Sequence, residues 1–141
     1  MFGVDNYYDP NSEIYSGTSG TITINAGTVI SVPSGGYSIY NDTGTVIING
    51  GQMTGSVNNT AGASFTMVAG AITRPSPNFV VVNNAGTFTM NGGGITGSVT
   101  NTGAFTITAG TITGDSGYYT VYNTGTFSKY GGTISGSTYG I

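Results

Sequence analysis

The chain has 141 residues, enough for one domain, and 5% of them are charged, where an ordinary soluble domain carries about 25%. Its net charge is −3 and its only cations are Arg74 and Lys129, so no basic surface can neutralise a run of phosphates, which excludes nucleic acid as a partner. Cysteine and histidine are absent, which excludes a disulfide framework, a thiolate site and an imidazole base.

The first 18 residues differ from the rest of the chain, and we predict that they form an N-terminal arm or cap. This stretch lacks the basic start and the apolar core of a secretory signal, so no signal peptide is visible in this chain. It holds three of the five acidic residues together with three tyrosines: Asp5, Asp9, Glu13, Tyr7, Tyr8 and Tyr15.

Within this arm, three side chains alternate as the ligands of a calcium loop do. Asp9, Asn11 and Glu13 are therefore candidate calcium ligands. However, Ile14 stands where the sharp-turn glycine of such a loop belongs, and Gly20 stands where the closing glutamate belongs. We favour the interpretation that this segment is a capping or docking arm. No other metal site and no cofactor site is predicted.

From residue 19 to 141 the chain repeats one short element, glycine followed by alternating threonine and apolar residues. Its six anchor glycines lie 24, 18, 24, 17 and 22 residues apart, at Gly20, Gly44, Gly62, Gly86, Gly103 and Gly125. Long and short units alternate because the extra residues of the long units fall at one place, in segments 31–36, 73–78 and 113–117. We expect these three loops on one side of the molecule, about 9.6 Å apart.

Alternation within each repeat predicts four inward columns of side chains, each six residues deep. Such short strands cannot form a sandwich, but they can form the sides of coils that stack about 4.8 Å apart. We therefore predict an all-β, single-domain parallel β-solenoid, or β-helix, with six three-sided coils. The predicted columns are Ile22, Val46, Phe65, Phe88, Phe105 and Phe127; Ile24, Ile48, Met67, Met90, Ile107 and Lys129; Val29, Met53, Ile72, Ile95, Ile112 and Ile134; and Ile39, Val57, Val81, Val99, Val121 and Thr138.

An asparagine precedes each later anchor glycine, and we expect these side chains to stack into a ladder that satisfies backbone groups at the corner. In the fourth copy either of two neighbours could take this place. The candidates are Asn41, Asn59, Asn83 or Asn84, Asn101 and Asn123.

The outward positions of the first strand form two rows rich in hydroxyl groups, which ordinarily indicates a solvent-facing surface. The flat Thr-x-Thr array also resembles the ice-binding faces of solenoid antifreeze proteins, although Ile47 and Ala104 interrupt it and a second side is also rich in threonine. The candidate ice- or water-binding residues are Thr21, Thr23, Thr45, Thr66, Thr87, Thr89, Thr106 and Thr126.

The stretches "GTFTMNGGGITG", "AFTITAGTITG" and "GTFSKYGGTISG" resemble the Gly-Thr-Phe-Thr-Met repeats of large bacterial surface and adhesin-like proteins. The folds of those proteins resemble the right-handed, pectin-lyase-like β-helix. The resemblance covers residues 19–141. It implies a right-handed solenoid and an extracellular, cell-surface or virion location, since related solenoids occur in phage fibres and tailspikes.

Enzymatic activity is not expected from these residues. The glycosidases and lyases of this fold need paired carboxylates roughly 5 to 9.5 Å apart or a metal with a base. The repeats hold only Asp42 and Asp115, which the alignment places about four coils, or roughly 19 Å, apart. Apolar runs are interrupted by threonine, asparagine and glycine, so insertion into a membrane is not predicted.

The sequence favours a structural protein that assembles with copies of itself into a fibre, through the ends and one side of the solenoid. The alternative is an adhesive or ice-binding module, whose partner would be a glycan or another surface protein. The residues predicted for the end contacts are Asp5, Tyr7, Tyr8, Asp9, Glu13, Tyr15, Lys129, Tyr139 and Ile141. Those predicted for the lateral contact with a subunit or glycan, beside the loops, are Tyr37, Tyr40, Phe79, Tyr118, Tyr119 and Tyr122.

Overall fold

A computed structural model describes residues 12–16, 20–32, 36–74, 80–115 and 117–136, and all regular structure within these ranges is β. The strands form three parallel sheets. Sheet A contains β1 (Ser12–Ser16), β4 (Tyr37–Asn41), β7 (Ser56–Asn59), β10 (Val80–Asn84), β13 (Ser98–Asn101) and β16 (Val121–Asn123). Sheet B contains β2 (Thr21–Ile24), β5 (Thr45–Ile48), β8 (Ser64–Met67), β11 (Thr87–Met90), β14 (Ala104–Ile107) and β17 (Thr126–Lys129). Sheet C contains β3 (Val29–Ser31), β6 (Gln52–Thr54), β9 (Ala71–Thr73), β12 (Gly94–Thr96), β15 (Thr111–Thr113) and β18 (Thr133–Ser135).

Each strand pairs with the third strand before it and the third strand after it, which is the connectivity of a parallel β-solenoid. The predicted fold class is therefore confirmed. We number the coils by their three strands, so that coil 1 is β1–β3 and coil 6 is β16–β18. The chain completes five turns between the first and last strands of sheet A.

The core is a stack of side chains in register, as the alternation of apolar and polar residues predicts. In coils 1 to 5 the strands of sheet B bury every second side chain, and the side chains between them, mostly threonines, face outward. Phe65, Phe88, Phe105 and Phe127 form a column with ring centroids 4.6, 4.5 and 5.3 Å apart and nearly parallel planes. Full burial of each such side chain stabilises the fold by roughly 1.5 to 3 kcal/mol.

Val29 is not a core residue, and Val81 is buried but out of register with its predicted column. Val29 is 75% exposed, and Ile30 occupies the column instead, in register with Met53. The corner between β2 and β3 is one residue longer than the same corner in later coils. It contains a turn in which the Thr28 amide donates to the Asn25 carbonyl. The extra residue reverses which side chains of β3 face inward.

The second error arises from a bulge in β10. The register shifts between Val80 and Val82, so Val82 and not Val81 aligns with Val57 and Val99, although Val81 is also buried. A similar irregularity lies between Tyr37 and Ile39 in β4. Both bulges occur where a long loop enters sheet A, because the strand accommodates one extra residue there. Thr138, the last predicted member of this column, lies outside the described residues.

Candidate assembly surfaces

A ladder of asparagine side chains runs along the corner between sheets A and B. Its members are Asn41, Asn59, Asn84, Asn101 and Asn123, and each Nδ2 group donates to the Oδ1 atom of the next at 2.7 to 2.8 Å. Asn84 takes the position that the sequence left open, whereas Asn83 faces outward and donates to Asn58 at 3.0 Å.

The ladder has a direction that backbone carbonyl groups impose. Asn84 Nδ2 also donates to the carbonyls of Gly86 at 3.1 Å and Ala104 at 2.9 Å, so the amide group and not the oxygen must face them. All donors of the ladder therefore point toward coil 6.

The two ends of this ladder differ. At its N-terminal end, the Oδ1 atom of Asn41 is buried without a hydrogen-bond partner, and Ser16, its neighbour in register in coil 1, has an unpartnered buried hydroxyl group. At the other end, Asn123 Nδ2 donates to the carbonyl of Gly125, within its own coil. An asparagine Oδ1 atom in a further coil could accept a hydrogen bond from this amide, as the ladder asparagine of each next coil does inside the solenoid.

The outer surface of coil 6, which we call the C-terminal end face, leaves two apolar core side chains incompletely covered. Phe127 and Ile134 are only partly buried, whereas Phe105 and Ile112, their partners in register in coil 5, are fully buried. Lys129 lies in register with Ile107, in the predicted column, and its side chain is exposed. The inward isoleucines of coil 1, by contrast, are at most 8% exposed: Ile14, Ile22, Ile24 and Ile30.

The three long connections join the same two sheets at every second coil, which matches the predicted spacing of the loops, and their residues 33–35, 75–79 and 116 lie outside the described residues. They connect β3 to β4, β9 to β10 and β15 to β16, always from sheet C to sheet A. In the coils between them, single buried glycines, Gly55 and Gly97, make the same connection with φ values of 134° and 131°. These values are readily accessible to glycine alone, and a longer side chain would be strained there.

An ion pair that sequence reasoning missed joins two of these loops. Arg74 follows β9 in coil 3 and pairs with Asp115, which follows β15 in coil 5, and both side chains are mostly buried. The pair spans the short connection at Gly97. The shared position of both residues just after a strand of sheet C was the available signal.

The predicted lateral tyrosines form two groups. Tyr37 and Tyr40 contact each other in coil 2, with ring centroids 5.5 Å apart, and Tyr119 and Tyr122 do so at coil 6, with centroids 5.7 Å apart. The groups are separated by four coils, or about 19 Å. Tyr118 is 46% exposed beside the second group. Phe79 lies outside the described residues.

The hydroxyl rows of sheet B lie in register as predicted. Thr21, Thr45, Thr87 and Thr126 belong to one row, and Thr23, Thr66, Thr89 and Thr106 belong to the other. Ile47 and Ala104 interrupt them. Sheet C carries a row with a hydroxyl group in every coil: Ser31, Thr54, Thr73, Thr96, Thr113 and Ser135.

Only part of the predicted N-terminal assembly region is described. β1 pairs in parallel with β4, its Ile14 is buried, and Glu13 and Tyr15 lie on this strand. Six of the predicted end residues lie outside the described residues, namely Asp5, Tyr7, Tyr8, Asp9, Tyr139 and Ile141, and so does the calcium candidate Asn11. Within the described ranges no cluster of acidic residues could hold a metal ion, and no helix there is long and apolar enough to cross a membrane.

Comparisons with protein-family models, with curated proteins and with solved structures give no match for this chain.

Proposed function

We propose that this chain is a non-enzymatic structural protein that assembles with copies of itself, end to end, into an extracellular or virion fibre. The observation that carries the proposal is the C-terminal end face, where Phe127 and Ile134 remain partly uncovered, whereas the other apolar core side chains among the described residues are buried. Such a face gains stability when another coil covers it, because apolar side chains leave water.

The strands at this face favour a partner with the same construction. β16, β17 and β18 are the last strands of their sheets among the described residues, so one edge of each can pair with a further parallel strand. A second copy of the chain supplies strands at the same spacing. Contacts that join unlike ends of identical subunits along one common axis cannot close into a ring, and they therefore extend into filaments.

Charge supports this arrangement as well. Lys129 is the exposed cation of the end face, and three of the five acidic residues of the chain lie in segment 1–18. A head-to-tail contact would bring Lys129 near Asp5, Asp9 or Glu13 of the next copy. We expect this attraction to weaken as the salt concentration is raised, because dissolved ions screen exposed charges over a distance that is about 10 Å at 0.1 M ionic strength and shorter at higher salt.

The test compares Lys129→Glu with Lys129→Arg in negative-stain electron microscopy and light scattering. The charge reversal should shorten filaments, and the conservative variant should preserve them. Removal of residues 1–11, which leaves β1 intact, should also shorten filaments and keep the far-UV circular dichroism of β-structure. A chain that stays at its monomer mass of 14.2 kDa at every accessible concentration would overturn the proposal.

A second candidate function, ice binding, has its own supporting observation in the unbroken hydroxyl row of sheet C. Thr96 belongs to this row and Thr89 belongs to the interrupted rows of sheet B, and both threonines lie in coil 4. Ice-recrystallisation inhibition by the unmodified chain that Thr96→Tyr abolishes and Thr89→Tyr preserves would establish sheet C as the binding face. No inhibition by the unmodified chain would exclude this function.

A further inference from the structure

The outer surface of sheet A is ridged, because only the even coils receive a long loop. At the edge of the sheet next to the loops, Tyr37 in coil 2 is half-buried, Val80 in coil 4 is 39% exposed and Tyr119 at coil 6 is 49% exposed. Ser56, which lies in register with Tyr37, and Ser98, which lies in register with Val80, are only 7% and 5% exposed. Ridges about 9.6 Å apart thus alternate with grooves.

The neighbouring row of the same sheet shows a similar alternation at its two ends. Tyr40 and Tyr122 stand on the ridges of coils 2 and 6, and Asn83 stands on the ridge of coil 4. The grooves between them contain the half-buried side chains of Asn58 and Thr100. Asn58 is smaller than its neighbour Tyr40 and the same size as its neighbour Asn83, and Thr100 is smaller than its neighbour Tyr122. We call these two rows together the ridge face.

The ridge face is electrically neutral. Residues 75–114 contain no charged side chain, and Arg74 and Asp115 neutralise each other at the corner beside it. A charged partner would therefore lose hydration without gaining an opposite charge. Aromatic rings with few charges are the composition that favours protein contacts.

We propose that the ridge face binds the ridge face of a second copy in an antiparallel pair. A surface with ridges at every second coil fits a surface of the same period, which another copy provides. When two such rods lie antiparallel with all six coils overlapping, coil 2 faces coil 5 and coil 4 faces coil 3. The ridge of coil 2 then enters the groove of coil 5, and the ridge of coil 4 enters the groove of coil 3.

A parallel pair in register would instead bring ridge against ridge. The antiparallel pair is related by a two-fold axis, so both copies use the same residues. This pairing supplies the lateral contact of the proposed fibre, and its role in a fibre rests on that proposed function. The pairing itself does not require end-to-end assembly.

The primary test fills one groove. Thr100→Tyr places an aromatic side chain in the groove of coil 5, and the matched control, Thr106→Tyr, changes another half-buried outward threonine of the same coil on sheet B. Both are made in the Lys129→Glu chain and measured by sedimentation equilibrium. The parent and the control should form dimers of twice the 14.2 kDa chain mass, and Thr100→Tyr should weaken dimerisation by about tenfold or more.

Cross-linking tests the orientation, since the chain contains no cysteine of its own. Tyr40→Cys and Thr100→Cys chains should form disulfide-linked dimers when mixed, because coil 2 faces coil 5. Each variant alone should form few, since its two cysteines would lie three coils, or about 14 Å, apart along the axis. Efficient linkage of either variant alone would overturn the antiparallel arrangement.

Electron microscopy of Thr100→Tyr and Thr106→Tyr in the otherwise unmodified chain, where Lys129 is kept so that filaments can form, separates this proposal from the fibre proposal. If Thr100→Tyr converts paired filaments into single ones of the same length, both the pairing and the fibre proposals are supported. Dimers without filaments support the pairing alone. Filaments whose width and dimer affinity are the same in Thr100→Tyr and Thr106→Tyr overturn the pairing and leave the fibre standing. A monomer that binds a soluble neutral β-glucan, and loses this binding in Thr100→Tyr, also overturns it and assigns the ridge face to a glycan.

Discussion

Removal of one side-chain amide from the asparagine ladder should destabilise the solenoid far more than removal of the amide from the adjacent, outward-facing asparagine of the same strand. Asn84 is fully buried, whereas Asn83, the preceding residue on β10, is exposed. Asn84→Ala and Asn83→Ala therefore delete the same chemical group from adjacent positions on opposite sides of one strand. The difference between their unfolding free energies measures what the buried ladder contributes.

The magnitude follows from the hydrogen bonds that each side chain makes. Asn84 accepts from Asn59 Nδ2 at 2.7 Å and donates to Asn101 Oδ1 at 2.7 Å, in addition to two backbone carbonyls. Its removal leaves the buried Oδ1 atom of Asn101 without its donor from that side, at a cost of about 1 to 3 kcal/mol, and it also loses several bonds worth roughly 1 kcal/mol each. We expect a total loss of about 3 to 5 kcal/mol.

Asn83→Ala removes one exposed bond to Asn58 and should change stability by about 0.5 kcal/mol or less. Equilibrium urea unfolding followed by far-UV circular dichroism measures both variants. The experiment uses the Lys129→Glu chain at low concentration, because assembly would add to apparent stability. Equal midpoints and equal denaturant slopes for the two alanine variants would refute the view that the ladder holds the corner.

The remaining predictions concern the same measurement. Ser16→Asn should raise stability by about 1 kcal/mol, because the new amide can donate to the unpartnered Oδ1 atom of Asn41; an unchanged midpoint would show that coil 1 lacks room for it. Gly103→Ala should destabilise the chain severely, since its Cβ atom would meet backbone oxygens in the preceding coil, whereas Gly94→Ala meets nothing within 4 Å and should be nearly neutral. Phe88→Ala should lose about 3 to 5 kcal/mol, as it empties a fully buried position between two stacked rings; a smaller loss would mean that the column collapses around the gap.

The end face and the ridge face were accessible to sequence reasoning to different degrees. Lys129 was identifiable because a cation interrupts a column of isoleucine and methionine, and the structure places it in that column. The ridges could not be identified from the sequence, because they depend on whether the side chain of a serine or valine at the edge of sheet A projects outward. That depends on bulges at Tyr37 and Val80, which accommodate residues arriving from the loops.

By itself, the sequence determined the fold class, the positions of the long loops and nearly all of the core, because a repeated alternation of apolar and polar residues has few packed solutions. Only the tertiary structure decided the choice of Ile30 over Val29, since one extra residue in a corner reverses which side chains face inward. It also decided the choice of Asn84 over Asn83 and the pairing of Arg74 with Asp115. These contacts join residues from different coils, and their geometry depends on how the coils stack, which local sequence patterns do not encode.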